Sequence, residues 1–221
     1  MLEIACFEIT SAETALRSVA DRIEFCAEQQ LGGITPNIDE FRYLKSVFRK
    51  PIYVMIRPKG GSFLYSDEEF VVMQKTLMEF KHSGADGFVF GILDPDNSVD
   101  VERNRILVEL AGATPCTFHR AIDRTADLEE SVKTLIEIGI KAVLTSGGKS
   151  SAMEGKDCLK NLVEKYSDKI DILIGGGVRS GNVRELKNFT KGTLFHSSAI
   201  PDYEMFANDD EIKKLKMVVD S

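Results

Sequence analysis

Eight short runs of β-branched, aromatic or aliphatic residues, each followed by a longer stretch of helical period, constrain this 221-residue chain more than any other feature. The runs are LEIACF from Leu2, RIEFC from Arg22, PIYVMIRP from Pro51, DGFVFG from Asp86, PCTFHRA from Pro115, KAVLTSGG from Lys141, DILIGGG from Asp171 and TLFHSSA from Thr193. Alternating strands and helices build parallel sheets, because a parallel pair needs a crossover and a helix supplies it. Eight such units without a long linker suit a closed (β/α)8 TIM barrel better than an open doubly wound sheet, which stays as the alternative. The length falls within the range of one barrel, so residues 1–221 are expected to form one α/β domain. Residues 200–221 are expected to be an irregular segment and a closing C-terminal helix from about Asp210.

Local signals agree with that division. Ser66–Glu69 and Ser151–Glu154 read as capping boxes, in which a hydroxyl and a Glu three residues on satisfy free N–H groups. Thr35 reads as a helix cap with Pro36 in the first turn. Gly84 and Gly139 close helices two or three residues before a strand.

Composition narrows the partners. A formal charge of −7 and the lack of a basic run argue against nucleic acid. The opening MLEIACFEIT has no basic n-region, and Glu3 and Glu8 interrupt its apolar stretch. It therefore reads as neither signal peptide nor membrane anchor, and a cytoplasmic location is expected. Cys6, Cys26, Cys116 and Cys158 form no C-x-x-C pair and read as reduced thiols.

Chemistry in such a barrel sits where the C-terminal strand ends converge on one mouth. Strand alternation places Arg22, Glu24 and Cys26 inside, along with Tyr53, Met55, Arg57, Thr117 and His119. Glu24, Arg57 and His119 are the candidate catalytic groups, and His196 also stands at a strand end. An ordinary hydrogen-bonded histidine is the competing reading for each His. Gly175, Gly176 and Gly177 follow the seventh strand, and Ser197 and Ser198 end the eighth, where barrels of this type often bind phosphate. The plainer alternative is a tight glycine turn. The loop from Arg57 to Ser66, with Phe63 and Tyr65, reads equally as a lid or as a packed connection. Together these residues point to a small anionic or phosphorylated metabolite and to isomerase or lyase chemistry, with Glu24 and His119 exchanging protons and Arg57 and the Gly175–Gly177 turn orienting the anion. No dinucleotide fingerprint or P-loop is present.

The series DRIEFC…GGITP, VMIRPKGGSFLYSDEEF, TFHRAID, LTSGGKSSAMEG, GGGVR and FHSSA closely resembles the CutC family of copper homeostasis proteins, over nearly the whole chain. The resemblance implies a (β/α)8 barrel, a cytosolic location, a homo-oligomer and a role in copper homeostasis. It also implies Cu(I) as a ligand, held by inward cysteines on the first two strands. Only the second of these, Cys26, is present here. EIACFE stands where the family often reads EVCVDS, so Ala5 takes the place of the first cysteine and Cys6 falls one position later, on the opposite face. A Cu(I) site would need Cys26 with another soft donor, for which Met55 is the candidate. An oligomeric scaffold without chemistry is a third reading.

Overall fold

The computed structural model describes residues 1–221. In chain order its elements are β1 (Leu2–Cys6), α1 (Ile9–Arg17), β2 (Arg22–Phe25), α2 (Ile38–Val47), β3 (Ile52–Met55), α3 (Asp67–His82), β4 (Gly87–Phe90), α4 (Val101–Ala111), β5 (Cys116–Phe118), α5 (Leu128–Glu137), β6 (Ala142–Thr145), α6 (Lys156–Tyr166), β7 (Asp171–Ile174), α7 (Val183–Thr190), β8 (Leu194–Ser197) and α8 (Asp209–Val219). Every strand pairs in parallel with the next, and β8 pairs with β1 to close the barrel. The open sheet is thereby excluded.

Alternation sorts the side chains as expected. Ile23, Phe25, Ile52, Val54, Phe88, Phe90, Cys116 and Phe118 join one continuous apolar layer between strands and helices. Cys6 belongs to that layer too. On the other face, Cys26, Met55 and Val89 form a small separate cluster inside the barrel, with Phe7 and Tyr53 against it. The outer layer therefore carries most of the apolar burial, and the interior is left free to hold polar groups near the mouth.

The helix signals hold in part. Ser66 accepts from the Glu69 N–H while the Glu69 carboxylate accepts from the Ser66 N–H, so α3 does start on a capping box. Ser151 also accepts from the Glu154 N–H, at 3.3 Å. That bond belongs to a turn, however, and α6 begins only at Lys156 after Gly155. Thr35 does not cap α2. Asn37 does, accepting from the Asp39 and Glu40 N–H groups, while the Thr35 hydroxyl accepts from the Arg57 N–H at 2.8 Å. A partner from the segment just after β3 takes the hydroxyl, and the helix cap falls two residues later.

After β8 the chain runs irregularly to α8, whose Ile212 and Leu215 are fully buried. No helix is long and apolar enough to cross a membrane.

Candidate functional site

The mouth holds a cavity of ≈ 330 Å³ lined by residues from β1, β2, β3, β6 and β8 and from the loops after them, including Ala5, Glu24, Cys26, Met55, Arg57, His119, Arg179, His196 and Ser198. Its base is a chain of buried charges. Arg22 Nε donates to Glu3 Oε2 at 2.5 Å, Glu3 Oε1 lies 2.7 Å from His196 Nδ1, and His196 Nε2 lies 3.4 Å from Glu24 Oε2. The register explains the assembly, since Glu3 sits opposite Arg22 on β2 and opposite His196 on β8.

Burial alone would raise the Glu3 carboxyl, but Arg22 and His196 outweigh it and hold it below its usual range. Burial likewise drives Glu24 upward; the pull of His196 does not cancel it, and the Glu24 carboxyl stands at about 7. His196 resists its own burial through the Glu3 hydrogen bond and the Glu24 charge, and its pKa is raised. Glu24 Oε1 has no hydrogen-bond partner although it is buried.

His119 directly follows β5 and caps the turn at Arg120–Arg124, where its Nδ1 accepts from the Ala121 N–H at 3.3 Å. The ring proton therefore sits on Nε2, which is buried without a partner. Burial, reinforced by the Arg57 charge, lowers the ring to about 3. Burial thus favours the neutral ring, whose Nε2–H is a hydrogen-bond donor without an acceptor. Phe63 packs on its ring at 4.9 Å, and a Cβ at Gly91 would come within 2.6 Å of Nδ1.

Arg57 follows β3, the strand that pairs with β2, and its Nη atoms donate to the carbonyls of Leu31, Gly33 and Gly61 at 2.8, 2.8 and 3.1 Å. These donors brace the loop from Arg57 to Ser66 against the β2–α2 loop, while Arg57 Nε has no partner. That loop covers the mouth through Phe63, which packs between Arg57, at 4.8 Å, and His119.

The expected anion corner is rearranged. Gly175 donates to Thr145 O and does not line the cavity. Gly176 and Gly177 do line it, and their N–H groups donate to no atom of the chain. Gly176 combines φ +98 with a close approach to Arg120, so a side chain there meets both backbone strain and steric conflict. Ser197 Oγ is spent on Val178 O and the Ala199 N–H, whereas Ser198 Oγ accepts from Arg179 Nη2 at 3.0 Å. Arg179 forms no ion pair with any carboxylate. Asp123 accepts from Arg120, Thr145, Ser146 and Gly148, fixing Arg120 and the β6–α6 loop at the rim.

Two important groups escaped the sequence reading. Glu3 was seen only as a break in an apolar run, although the parity that put Ala5 inside puts Glu3 inside as well. Arg179 follows the glycines by two residues, and nothing in spacing alone says that it folds back over Ser198.

The family model for the CutC family matches residues 1–201. The chain belongs to the CutC family. The human copper homeostasis protein cutC homolog is 40% identical over 199 residues, covering 90% of this chain and 73% of that one. The Drosophila melanogaster homolog of the same name is 38% identical over 202 residues, covering 90% and 77%. The crystal structure of the CutC protein from Streptococcus agalactiae superposes with a TM-score of 0.85 at 27% identity, covering 90% of this chain and 98% of that one.

CutC membership raises the question of copper. A side chain at Gly33 would meet both Cys26 Sγ and Met55 Cε, so the two sulfur side chains do adjoin in the barrel. The donor set is nevertheless poor for Cu(I). Burial, and then the Glu24 charge, push the Cys26 thiol well above its ordinary value, and its Sγ donates to Cys6 O at 3.4 Å. Thiolate, not thiol, ligates metal. Cys6 is turned into the helix-side layer, and a thiol with one thioether does not make a Cu(I) cage in this family member.

Proposed function

We propose that this CutC family member, whose relatives' names carry a role in copper homeostasis, binds and transforms a small phosphorylated metabolite at the barrel mouth. The observation supporting this reading most directly is a single cavity lined by both an unpaired Arg179 beside two free glycine N–H groups and a Glu24 carboxyl standing at about 7. Two free N–H groups, a hydroxyl and a guanidinium are the donors a phosphoryl group takes. A carboxyl tuned near neutrality is suited to moving a proton. Glu3 engages His196 Nδ1 at 2.7 Å, which leaves His196 Nε2 toward Glu24.

Thermal unfolding in inorganic phosphate tests the anion corner. Binding at 100 times Kd stabilises the wild type by about 2.7 kcal/mol, and Arg179→Met removes that gain. A phosphate response equal in both proteins would sink the reading.

Cu(I) held by Cys26 with Met55 is the second reading, supported by their adjacency inside the barrel. In anaerobic competition with a Cu(I) chelator, wild type and Cys26→Ala are expected to compete equally poorly; copper retained by the wild type alone would restore the cage.

The four cysteines are all free, as a reducing cytoplasm keeps them, and the cytoplasm is the location we assign. Exposed Tyr203, Met205 and Phe206 offer an apolar face for self-association as a homo-oligomer.

A further inference from the structure

Five buried polar side-chain atoms have no partner: Glu24 Oε1, Arg57 Nε, Tyr65 Oη, Thr117 Oγ1 and His119 Nε2. Folded proteins leave few such atoms, and each asks for an explanation. Arg57 and Tyr65 adjoin beneath the lid and answer each other electrostatically. Thr117 lies deeper along β5 and does not reach the cavity wall. Glu24 and His119 remain, both cavity-lining, the one on β2 and the other directly after β5. One offers a carboxylate oxygen with no donor to satisfy it; the other offers an N–H with no acceptor.

That pair is complementary to a particular kind of substrate. An N–H held without an acceptor in a water-poor site is suited to an oxygen that gains negative charge during the reaction. A carboxylate oxygen left free of hydrogen bonds is suited to a proton on carbon, which offers it no strong hydrogen bond beforehand. Building on the phosphate-binding reading above, we infer that the substrate is a phosphorylated α-hydroxycarbonyl compound and that the mouth transfers a proton between its two adjacent carbons.

In the step, Glu24 Oε1 takes the proton from the carbon that carries the hydroxyl. The C–H electron pair becomes the C=C bond of an enediolate, and the carbonyl π pair moves onto oxygen, where His119 Nε2–H donates to it. Glu24 returns its proton to the neighbouring carbon. The enediolate pair re-forms a carbonyl at the first carbon as its hydroxyl proton passes to the other oxygen. Atoms and electrons balance with no added reactant. Phe63 covers His119 and keeps water from the enediolate, while Gly176, Gly177, Arg179 and Ser198 hold the phosphoryl end.

The test follows hydrogen–deuterium exchange at carbon by proton NMR in D2O, with dihydroxyacetone phosphate and D-ribose 5-phosphate as probes. Phosphate-dependent thermal stabilisation is measured on the same samples. Wild type is expected to exchange the α-proton of one probe at least 100-fold faster than buffer. Glu24→Gln purified identically should lose that exchange yet keep the phosphate stabilisation. His119→Gln, which still offers an N–H, should keep part of the rate that His119→Phe loses. Phosphate stabilisation without exchange above buffer for either probe overturns this inference and leaves the binding reading standing. Absence of phosphate stabilisation overturns both. Exchange as fast in Glu24→Gln as in wild type overturns the assignment of the base.

Discussion

Glu24 is ionisable, 3% exposed, and has one oxygen with no partner, so its charged form is costly in the folded chain. Its carboxyl is raised from 4.5 to about 7. A raised folded value means that the stability it contributes is full below the unfolded pKa and is lost as pH climbs through about 7. Glu24→Gln removes the titration. The variant is therefore expected to gain roughly 1–3 kcal/mol on the wild type in urea unfolding at pH 8 relative to the same comparison at pH 4.5. An equal difference at both pH values would show that the folded carboxyl titrates normally. Gly91 supplies a second case at this scale. Its backbone lies where a Cβ would press on the His119 ring, at 2.6 Å from Nδ1. Gly91→Ala should therefore abolish the carbon exchange proposed above while leaving phosphate stabilisation intact, as read by the same NMR and thermal assays. Parity along β2 and β3 was enough to place Glu24, Cys26, Met55 and Arg57 inside from sequence. What Arg57 does there was illegible, because its partners are three carbonyls whose positions depend on two loops.

At the scale of elements, the loop after β3 and the α3 start act as one unit. The capping box at Ser66 anchors the loop's far end, and the Lys59–Glu69 pair at 2.8 Å ties its middle to the helix. Arg57 ties its near end to the β2–α2 loop. Arg57→Lys keeps the charge but loses the fork that reaches three carbonyls. Limited proteolysis between residues 59 and 65 should accelerate by at least tenfold in Arg57→Lys, and an unchanged cleavage rate would mean that Phe63 alone holds the cover down. Strand and helix order was readable because a period of 2 gives way to 3.6 eight times over. Helix starts were less so. Thr35 and Ser151 carry capping chemistry in sequence, yet tertiary partners decide where a helix begins: the Arg57 N–H claims Thr35, and the Ser151 turn precedes α6 by several residues.

Across the whole molecule, the family match ends at residue 201, but burial does not. Leu215 is 0% exposed on α8, which packs against α7, α1 and β1. Leu215→Ala is expected to cost about 2–5 kcal/mol in a single urea transition; a cost under 1 kcal/mol would mark α8 as peripheral to the fold. The closed barrel also joins its two ends chemically. Glu3 and His196 meet across the β8–β1 seam although they stand 193 positions apart in sequence. During synthesis the first carboxylate of the charge chain emerges at once and then waits for nearly the entire polypeptide before its histidine arrives. A chain that stops short of β8 lacks both the strand that closes the barrel and the histidine that pairs with Glu3.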